Sequence, residues 1–403
     1  MKVNVKGHLR DLLAFKRMVP RRKKRIKKAP STPMMADPIN ELARNLHPET
    51  MHLIIDGIKD ETISTKTFRL TADSDSGTKS LAFFRAGQYL SIRTTVNGVS
   101  ITRPYSIASS PRESLNGGFY EITIRKKEGG FLTEYIWNTW EEGDKIESSG
   151  PSGVFYYEDL RDTNDIVALA GGSGITPFRS MMKDMIDSET DVKLTLIYGT
   201  RKANDIIFEK DLRQLEEQSL GRFKVIIVCS EPYEKWEGPR GFLTKEIITE
   251  CIGNTAGRTF FICGPPVMYE FLKKELEGFN LPRKRVRREA FGDIEAITTY
   301  DDFPTELVDK SFKITVHMGN TSYEIPARAT ESVLVAMERA NLSPPSRCRS
   351  GECGFCRSLL LTGNIYVSTV CDGRRAADKK FNYFHPCYSY PISDLVIKVP
   401  RRV

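Results

Sequence analysis

Hydrophobic and polar residues alternate over short stretches of the chain from about residue 51 to residue 157. Five such stretches of seven to ten residues are separated by Gly, Asn, Asp or Ser: HLIIDGI, TKTFRLTAD, GQYLSIRTTV, SITRPYSIAS and YEITIRKK. They are rich in β-branched and aromatic residues, which favour strands. Short strands separated by turn residues predict an antiparallel barrel.

The pattern changes to alternating strands and helices between residues 165 and 292. Apolar strands precede longer helical stretches four times, at DIVALA, KLTLIYG, FKVIIVC and TFFICG, and RKRVRREAF is a last strand. Strands and helices that alternate in this way build a parallel sheet with helices on both faces. The sequence therefore predicts a doubly wound α/β domain.

A third pattern begins after the polar stretch AITTYDDFPTELVD. FKITVHMGNTSYEIPA predicts a hairpin over Gly319-Asn320, SVLVAMERAN a helix, and SLLLTGNIYV a second hairpin over Gly363-Asn364. With DLVIKV as a closing strand, this is a small sheet crossed by one helix. The pattern is typical of an α+β domain of the β-grasp type.

The chain is therefore predicted to be a multidomain protein, and its 403 residues are enough for two to four domains. The predicted boundaries are 1–48 for an N-terminal extension, 49–157 for the barrel, 158–293 for the α/β domain, 294–310 for a linker and 311–403 for the β-grasp domain.

The positive charge of the chain is concentrated in its first fifty residues. They hold thirteen Lys and Arg against four Asp and Glu, a balance of +9, whereas the whole chain has a net charge of +8. The run RRKKRIKK follows a short amphipathic stretch, the reverse of the order in a secretory signal. A solvated, flexible extension, docking to an acidic partner and contact with an anionic membrane surface all remain open. Nucleic-acid binding is not favoured, because no aromatic platform or helix-turn-helix pattern accompanies the charges.

The remaining composition indicates a protein of a reducing compartment. No apolar run reaches the 18 residues or so that a membrane helix needs. Cys229, Cys251, Cys263 and Cys371 are scattered and do not form the framework of a disulfide-rich fold. We therefore expect a cytoplasmic location.

Four other cysteines have the spacing of ligands to a plant-type [2Fe-2S] cluster. Cys348, Cys353 and Cys356 lie in CRSGECGFC, and Cys387 follows in HPCYSYPISDLVI. Zinc is disfavoured because its sites usually contain two close C-x-x-C pairs. A Rieske centre would need two histidine ligands, and the histidines are not spaced for that. One such cluster passes one electron at a time, so the chain is predicted to work in electron transfer.

A glycine-rich loop follows the first strand of the α/β domain. GGSGITP joins DIVALA to a helix, and a pyrophosphate could approach its backbone and the N-terminus of that helix. This is not the spacing of the ordinary dinucleotide fingerprint. Cys263, Gly264 and Pro265 end a later strand, at the sheet edge where ligands of doubly wound folds bind.

Residues 50–403 resemble the ferredoxin-NADP-reductase superfamily, in the branch of flavin reductases with a C-terminal ferredoxin domain. The barrel motif of that family, arginine-x-tyrosine-serine, is present as Arg103, Pro104, Tyr105 and Ser106. The resemblance implies that Arg103 binds the flavin phosphates, that Tyr105 packs on the flavin and that Ser106 bonds near its reactive nitrogen.

The same resemblance implies further cofactor contacts, and FAD is favoured over FMN. The glycine pair Gly129-Gly130 and Thr133 would hold the pyrophosphate of FAD. Arg349 and Gly351 would shape the cluster loop and donate amide hydrogen bonds to cluster sulfurs, and Cys371 is interpreted as a non-ligand. Other positions matched to flavin or nicotinamide sites are Ile124, Arg125, Leu132, Gly172, Gly174, Ile175, Thr176, Arg201, Cys263, Gly264, Pro265, Met268 and Phe291. Of these, Thr176 and Cys263 would lie with Tyr105 and Ser106 at the reacting ring.

The predicted function is a relay from NAD(P)H through FAD to the [2Fe-2S] cluster and on to a partner redox protein. Ser230-Glu231 near the expected ribose site favours NADH, because a carboxylate repels a 2′-phosphate, while Arg201 argues for NADPH. The acceptor stays open among an oxygenase, a hybrid-cluster or similar metalloprotein, and a corrinoid protein. The alternative is a tightly bound electron-transfer and docking subunit with little activity alone.

Overall fold

The computed structural model describes residues 9–31, 37–289, 291, 297–368 and 372–400. The chain divides into two compact units, Met1–Asn45 and Leu46–Val403. The first contains helix α1 (Leu9–Lys28), and helix α2 (Pro38–Leu46) lies at the boundary. None of the helices in the described ranges combines the length and hydrophobicity that a bilayer crossing needs.

The first part of the second unit is a six-stranded antiparallel sheet. Its order is β4-β3-β6-β1-β2-β5, and a bridge between Ile107 and Ile122 joins its two ends, as the predicted barrel requires. Alternate side chains of the strands point inward and form one apolar core. The elements are β1 (Met51–Thr62), β2 (Thr65–Ala72), β3 (Tyr89–Val96), β4 (Val99–Ser106), α3 (Pro111–Gly117), β5 (Phe119–Arg125), α4 (Phe131–Thr139) and β6 (Lys145–Ser152).

The second sheet is parallel, with the order β11-β10-β7-β8-β9. Separate apolar cores cover its two faces, which explains why the central strands β7 and β10 carry apolar side chains on both faces. The elements are β7 (Asp165–Gly171), α5 (Thr176–Asp187), β8 (Lys193–Lys202), α6 (Glu209–Gln218), β9 (Phe223–Glu231), α7 (Lys245–Ile252), β10 (Thr259–Cys263), α8 (Pro266–Glu277) and β11 (Val286–Glu289).

The third sheet has the order β13-β12-β18-β14-β16, and a two-stranded sheet of β15 and β17 lies beside it. One helix, α9, packs on the third sheet through Val333, Leu334 and Met337. The elements are β12 (Ser311–Met318), β13 (Thr321–Arg328), α9 (Val333–Arg339), β14 (Ser358–Thr362), β15 (Ile365–Tyr366), α10 (Ala376–Lys380), β16 (Tyr383–Phe384), β17 (Tyr390–Pro391) and β18 (Leu395–Val399).

The fold class is as predicted, but the second hairpin of the β-grasp domain was predicted wrongly. The first hairpin forms, because β12 and β13 pair over Gly319. At the second turn, β14 pairs with β18 and β16, whereas β15 pairs with β17 in a different sheet. A register irregularity after Leu360 precedes this turn, where Gly363 has a φ of +94°. The chain therefore changes sheets at a turn that the sequence pattern presents as an ordinary hairpin.

Candidate active site and cluster loop

A cleft of about 320 Å³ lies where the barrel meets the carboxyl edge of the parallel sheet. The end of β4 and the end of β5 form one wall, and the loops after β7 and β10 form the other. The predicted site residues that line the cleft are Pro104, Tyr105, Ser106, Ile124, Arg125, Thr133, Gly172, Gly174, Thr176, Cys263, Gly264, Pro265 and Phe291. Two motifs from different domains thus form a single site.

Other predicted residues are not part of the lining. Ile175 is fully buried in the core of the parallel-sheet domain, where it packs under the glycine loop. Arg201 is exposed and forms an ion pair with Glu231, with 2.6 Å between Arg201 Nε and Glu231 Oε1. Arg103, Gly130, Leu132 and Met268 lie next to lining residues in the chain or in space, and Gly129 precedes Gly130. Thr123, Ser173 and Pro266 line the cleft and were not among the predicted site residues.

The glycine loop allows close approach of the two wall segments. A Cβ on Gly174 would overlap the carbonyl group of Cys263 and lie 2.7 Å from the Cα of Gly264. The hydroxyl of Thr176 donates to the Ser173 carbonyl at 2.8 Å, so this side chain closes the turn that the glycines form. The local sequence therefore fixes the distance between the loop after β7 and the loop after β10.

Arg125 places a positive charge in the cleft. Its guanidinium group forms an ion pair with Asp205 and lies beside the backbone of Gly172. The hydroxyl of Ser64 also donates to Asp205, at 2.9 Å. This carboxylate thus orients the cation between the barrel and the glycine loop, where a phosphate group can reach it. Asp205 follows β8 in a loop without a motif, and the sequence contained no signal for this contact.

Burial controls the protonation of groups at the inner end of the cleft. It raises the pKa of the Cys263 thiol well above its ordinary value, so the group stays uncharged. Burial likewise raises the pKa of Tyr105 to about 12 and the pKa of Glu289 well above that of an ordinary carboxyl group. The amide of Gly264 donates to the Tyr269 hydroxyl oxygen at 3.1 Å, and this hydroxyl donates to the Glu289 carbonyl. The side chains at the inner end of the cleft are therefore uncharged, and hydrogen bonds hold the backbone there in place.

The glycine pair after β5 lies in a turn that side-chain hydrogen bonds hold. Gly130 precedes helix α4, and the amide of Gly129 donates to the Glu134 carboxylate at 3.1 Å. The Thr133 hydroxyl accepts from the Lys127 amide at 3.1 Å and still faces the cleft. These side chains satisfy the turn internally, and Thr133 is the member of this motif that lines the site.

The four predicted cluster ligands converge in one place. Thiol contacts run from Cys353 to Cys348, from Cys348 to Cys387 and from Cys387 to Cys356, the last with 3.4 Å between the sulfurs. Hydrogen bonds from the Cys353 and Cys387 thiols hold the pKa of Cys348 far below its ordinary value. Within the described ranges, no three His, Cys, Asp or Glu side chains surround a position for a single ion. The sulfurs form a chain of four, as a diiron core with four thiolate ligands needs.

Backbone amides and a buried ion pair shape the cluster loop. The amides of Ser350 and Cys353 point at the Cys348 sulfur at 3.5 Å, and the amide of Phe355 points at the Cys353 sulfur at 3.4 Å. Arg349 has a φ of +59° and is fully buried, with 2.5 Å between its Nη1 atom and Glu338 Oε1 of α9. Arg349 is thus held in the core under the loop, and the amides of Ser350, Cys353 and Phe355 point at ligand sulfurs. Cys371 lies outside the described residues.

Comparison with known proteins agrees with these two sites. Residues 55–157 match the oxidoreductase FAD-binding domain, residues 168–274 the oxidoreductase NAD-binding domain, and residues 316–391 the 2Fe-2S iron-sulfur cluster binding domain. These matches cover the barrel strands, the parallel sheet and the cysteine loop.

Similar proteins include reductases of oxygenase systems. The glycine betaine monooxygenase reductase subunit of Chromohalobacter salexigens is 27% identical over 84% of this chain and 92% of the relative. NADH-cytochrome b5 reductase 1 of Dictyostelium discoideum is 34% identical over 54% of this chain and 74% of the relative. The crystal structure of phthalate dioxygenase reductase has the same fold, with a TM-score of 0.61, 22% identity and coverage of 87% of this chain and 98% of that one.

The predicted relay is therefore confirmed, and the docking-subunit alternative is not favoured. The chain is an NAD(P)H-dependent oxidoreductase in which electrons pass through FAD to a [2Fe-2S] cluster and on to a redox partner. It belongs to the ferredoxin-NADP-reductase superfamily, in the branch whose flavin reductases also carry a [2Fe-2S] ferredoxin domain.

Proposed function

We propose that this protein is the reductase component of an oxygenase system and that NADH is its electron donor. The observation that carries the proposal is the proximity of the two sites within one compact unit. Arg347, directly before the first cluster ligand, donates from Nη1 to the hydroxyl of Ser152 on β6 at 3.5 Å. Tyr89, paired with Ser152, is also paired with Ser106 of the cleft. The resemblance to a monooxygenase reductase subunit supports an oxygenase as the acceptor.

The residues of the cleft have separable roles in this proposal. Bound FAD would supply a hydride acceptor for the nicotinamide, and a bound cluster would supply one-electron transfer. Tyr105 offers an aromatic face to the flavin, Arg103 and Arg125 attract phosphate groups, and Ser106 donates a hydrogen bond at the ring. The uncharged Cys263 thiol and the ring of Phe291 exclude water from the reacting atoms. Gly172 and Gly174 admit the nucleotide backbone because they have no side chain.

The residues of the cysteine loop also have separate roles. Cys348 and Cys353 would bind one iron, and Cys356 and Cys387 the other, because the series of thiol contacts Cys353–Cys348–Cys387–Cys356 divides at its middle into these two pairs. The amides that point at the sulfurs of Cys348 and Cys353 stabilise negative charge on the thiolates. We further propose three domains with the boundaries predicted above, since each of the three large sheets has an apolar core of its own.

NADH selectivity follows from the ion pair at the carboxyl ends of β8 and β9. Glu231 neutralises Arg201, the cation that could otherwise bind a 2′-phosphate. Replacing Glu231 with glutamine keeps the size of the side chain and removes its charge. We expect kcat/KM for NADPH to rise about tenfold relative to kcat/KM for NADH, because a released charge contact is worth about 1.5 kcal/mol. Steady-state ferricyanide reduction with each nucleotide measures the ratio.

Glu217→Gln is the matched control, because this exposed carboxylate lies on α6, away from the strand ends. An unchanged ratio in Glu231→Gln contradicts the assignment of this ion pair to nucleotide selection. Anaerobic titration of the wild-type protein tests the proposed donor directly: NADH should bleach both the flavin and the cluster absorption. A loaded protein that neither nucleotide reduces contradicts the proposed function itself.

The exposed basic helix α1 supports a peripheral contact with an anionic membrane surface. Leu9–Lys28 contains ten Lys and Arg and one Asp. Met18, Val19 and Ile26 are 58%, 61% and 65% exposed and lie within one arc of the helix. An exposed apolar stripe on a strongly basic helix fits the interface of an acidic bilayer better than it fits water. We propose a cytoplasmic protein bound in this way, in agreement with the free cysteines of the described chain.

Vesicle sedimentation tests the membrane contact. We expect the protein to sediment with vesicles that contain phosphatidylglycerol and to stay in solution with phosphatidylcholine alone. A variant with Lys23, Lys24, Lys27 and Lys28 replaced by Gln should bind about a thousandfold more weakly, at about 1 kcal/mol per lost charge. Its control has the same substitutions at four exposed lysines outside the helix, namely Lys79, Lys273, Lys274 and Lys310.

Equal binding of the helix and control variants would reject the proposal. So would the absence of any preference for phosphatidylglycerol. Salt-sensitive capture of an acidic electron acceptor without vesicle binding would assign the helix to that protein instead.

A further inference from the structure

Tyr89 lies at the junction of the cleft and the cluster loop. It is the first residue of β3 and is 3% exposed. Its backbone is paired with Ser106 of β4 on one side and with Ser152 of β6 on the other. Ser106 lines the cleft, and Ser152 accepts the hydrogen bond from Arg347. Tyr89 therefore lies between Ser106 of the cleft and Ser152, the residue that contacts the cysteine loop.

The ring of Tyr89 contacts the cleft side through Phe291. Their ring centroids are 4.9 Å apart with an interplanar angle of 76°, an edge-to-face contact. Phe291 itself lines the cleft. The aromatic surface thus continues from the site wall into the interior without an intervening polar side chain.

The same ring is close to the cysteine loop. Ser152, which is paired with Tyr89 on the neighbouring strand, accepts a hydrogen bond from Arg347, and Arg347 directly precedes the ligand Cys348. The guanidinium group of Arg347 lies 3.9 Å from the ring centroid of Phe355, which is next to Cys356. The cluster loop is therefore held against the barrel beside this tyrosine.

The chain packs closely against the ring at Gly153. A Cβ on Gly153 would lie 3.0 Å from two ring atoms of Tyr89 and 3.3 Å from Glu289 Oε1. Gly153 has a φ of +109°, a conformation that favours glycine, so the chain passes the ring as closely as a backbone can. The backbone at Gly153 therefore packs directly against one side of the Tyr89 ring.

We propose that Tyr89 is the positioning residue that bridges the flavin site and the cluster, holding the cysteine loop at a fixed distance from the cleft. One electron passes from the reduced flavin to the oxidised cluster across this contact. No bond forms or breaks, and Tyr89 is neither oxidised nor deprotonated. The inference rests on the proposed cofactor sites, and it adds a determinant of the rate of internal electron transfer.

Tyr89→Ala and Tyr89→Phe test this role in the holoprotein. After anaerobic mixing with NADH, the flavin absorption of both variants should bleach at the wild-type rate. Reduction of the cluster, followed by its absorption, should be about tenfold or more slower in Tyr89→Ala, since a shift of about 1 Å in a reacting pair has effects of this order or larger. Tyr89→Phe keeps the ring and should behave as wild type.

Hydrogen exchange of the oxidised protein gives a readout without turnover. Amides of residues 347–356 should exchange faster in Tyr89→Ala than in Tyr89→Phe or the wild type, because the loop loses its support. If Tyr89→Ala does not retain both cofactors, Arg347→Ala weakens the same contact from the cluster side and should slow the same step.

Three results would overturn the proposal. The first is an unchanged rate of cluster reduction in Tyr89→Ala, or in Arg347→Ala where that variant is needed. The second is a cluster reduction in Tyr89→Phe that is slowed as much as in Tyr89→Ala. The third is a flavin reduction that is slowed as much as the cluster reduction. Each of these results counts against the role of Tyr89 when the wild-type protein transfers electrons from NADH to the cluster. Failure of that wild-type reaction would instead count against the proposed function.

Discussion

Replacement of Cys387 by serine is expected to separate the two halves of the relay. The variant should bind FAD and reduce ferricyanide with NADH at near wild-type rates, yet lack a normal [2Fe-2S] spectrum. Reduction of the protein acceptor should fall about a hundredfold or more, because changes at a metal site's outer contacts alone cost 10–100-fold. The reason is that Cys387 is 1% exposed and its sulfur is 3.4 Å from that of Cys356. A serine hydroxyl is shorter, harder and far less acidic than a thiol.

Cys251→Ser is the matched control, because this free and partly exposed cysteine on α7 is not near the loop. Absorption and electron paramagnetic resonance spectra after anaerobic reduction would measure the cluster, and flavin release on heating would measure FAD. A Cys387→Ser protein with a wild-type cluster spectrum would refute the fourth ligand. Simultaneous loss of FAD would mean that the cluster domain is required for the fold of the barrel.

The experiment depends on four cysteines that sequence spacing singled out and that converge in the structure, and the reason is local. A glycine-bearing loop of nine residues contains three of the ligands, and their order along the chain limits how they can face each other. The strand periodicities were similarly informative, because alternation in the barrel and continuous apolar strands in the parallel sheet follow directly from which faces are buried. Short-range chemistry thus predicted both the fold class and the positions of the motifs.

Contacts between distant segments were not predictable in the same way. Asp205 orients Arg125 across 80 residues of sequence, and Glu338 neutralises Arg349 within the core of the β-grasp domain. The chain changes sheets after Gly363 because β14 pairs with β18 and not with β15. The sequence of a turn does not specify the strand with which the preceding strand pairs. In the sequence, nothing distinguishes Tyr89 from an ordinary core tyrosine in a strand. Its position between two sites becomes visible only when Ser106, Ser152 and Phe291 are brought around it.

The glycine loop after β7 makes a second large effect testable. Gly174→Ala is expected to lower kcat/KM for NADH about a hundredfold, while the flavin and the cluster are retained. The added Cβ would overlap the backbone of Cys263, so the loops after β7 and β10 would have to move apart. A displacement of about 1 Å at a reacting pair can cost a hundredfold in rate. Overpacking of this kind also lowers the free energy of unfolding by about 1–3 kcal/mol.

Gly199→Ala provides the control for Gly174→Ala. Gly199 lies near the end of β8 in the same sheet, and its added Cβ would meet Ala170 and Leu243 at ordinary contact distances of 3.6 Å. This variant should keep wild-type kcat/KM for NADH and wild-type stability. Stopped-flow reduction of the flavin by NADH, with thermal unfolding measured in parallel, distinguishes a displaced nucleotide loop from a general loss of structure. If Gly174→Ala reduces its flavin at the wild-type rate, the separation of the two loops does not control hydride transfer, and nucleotide positioning must then depend on the side chains of the cleft.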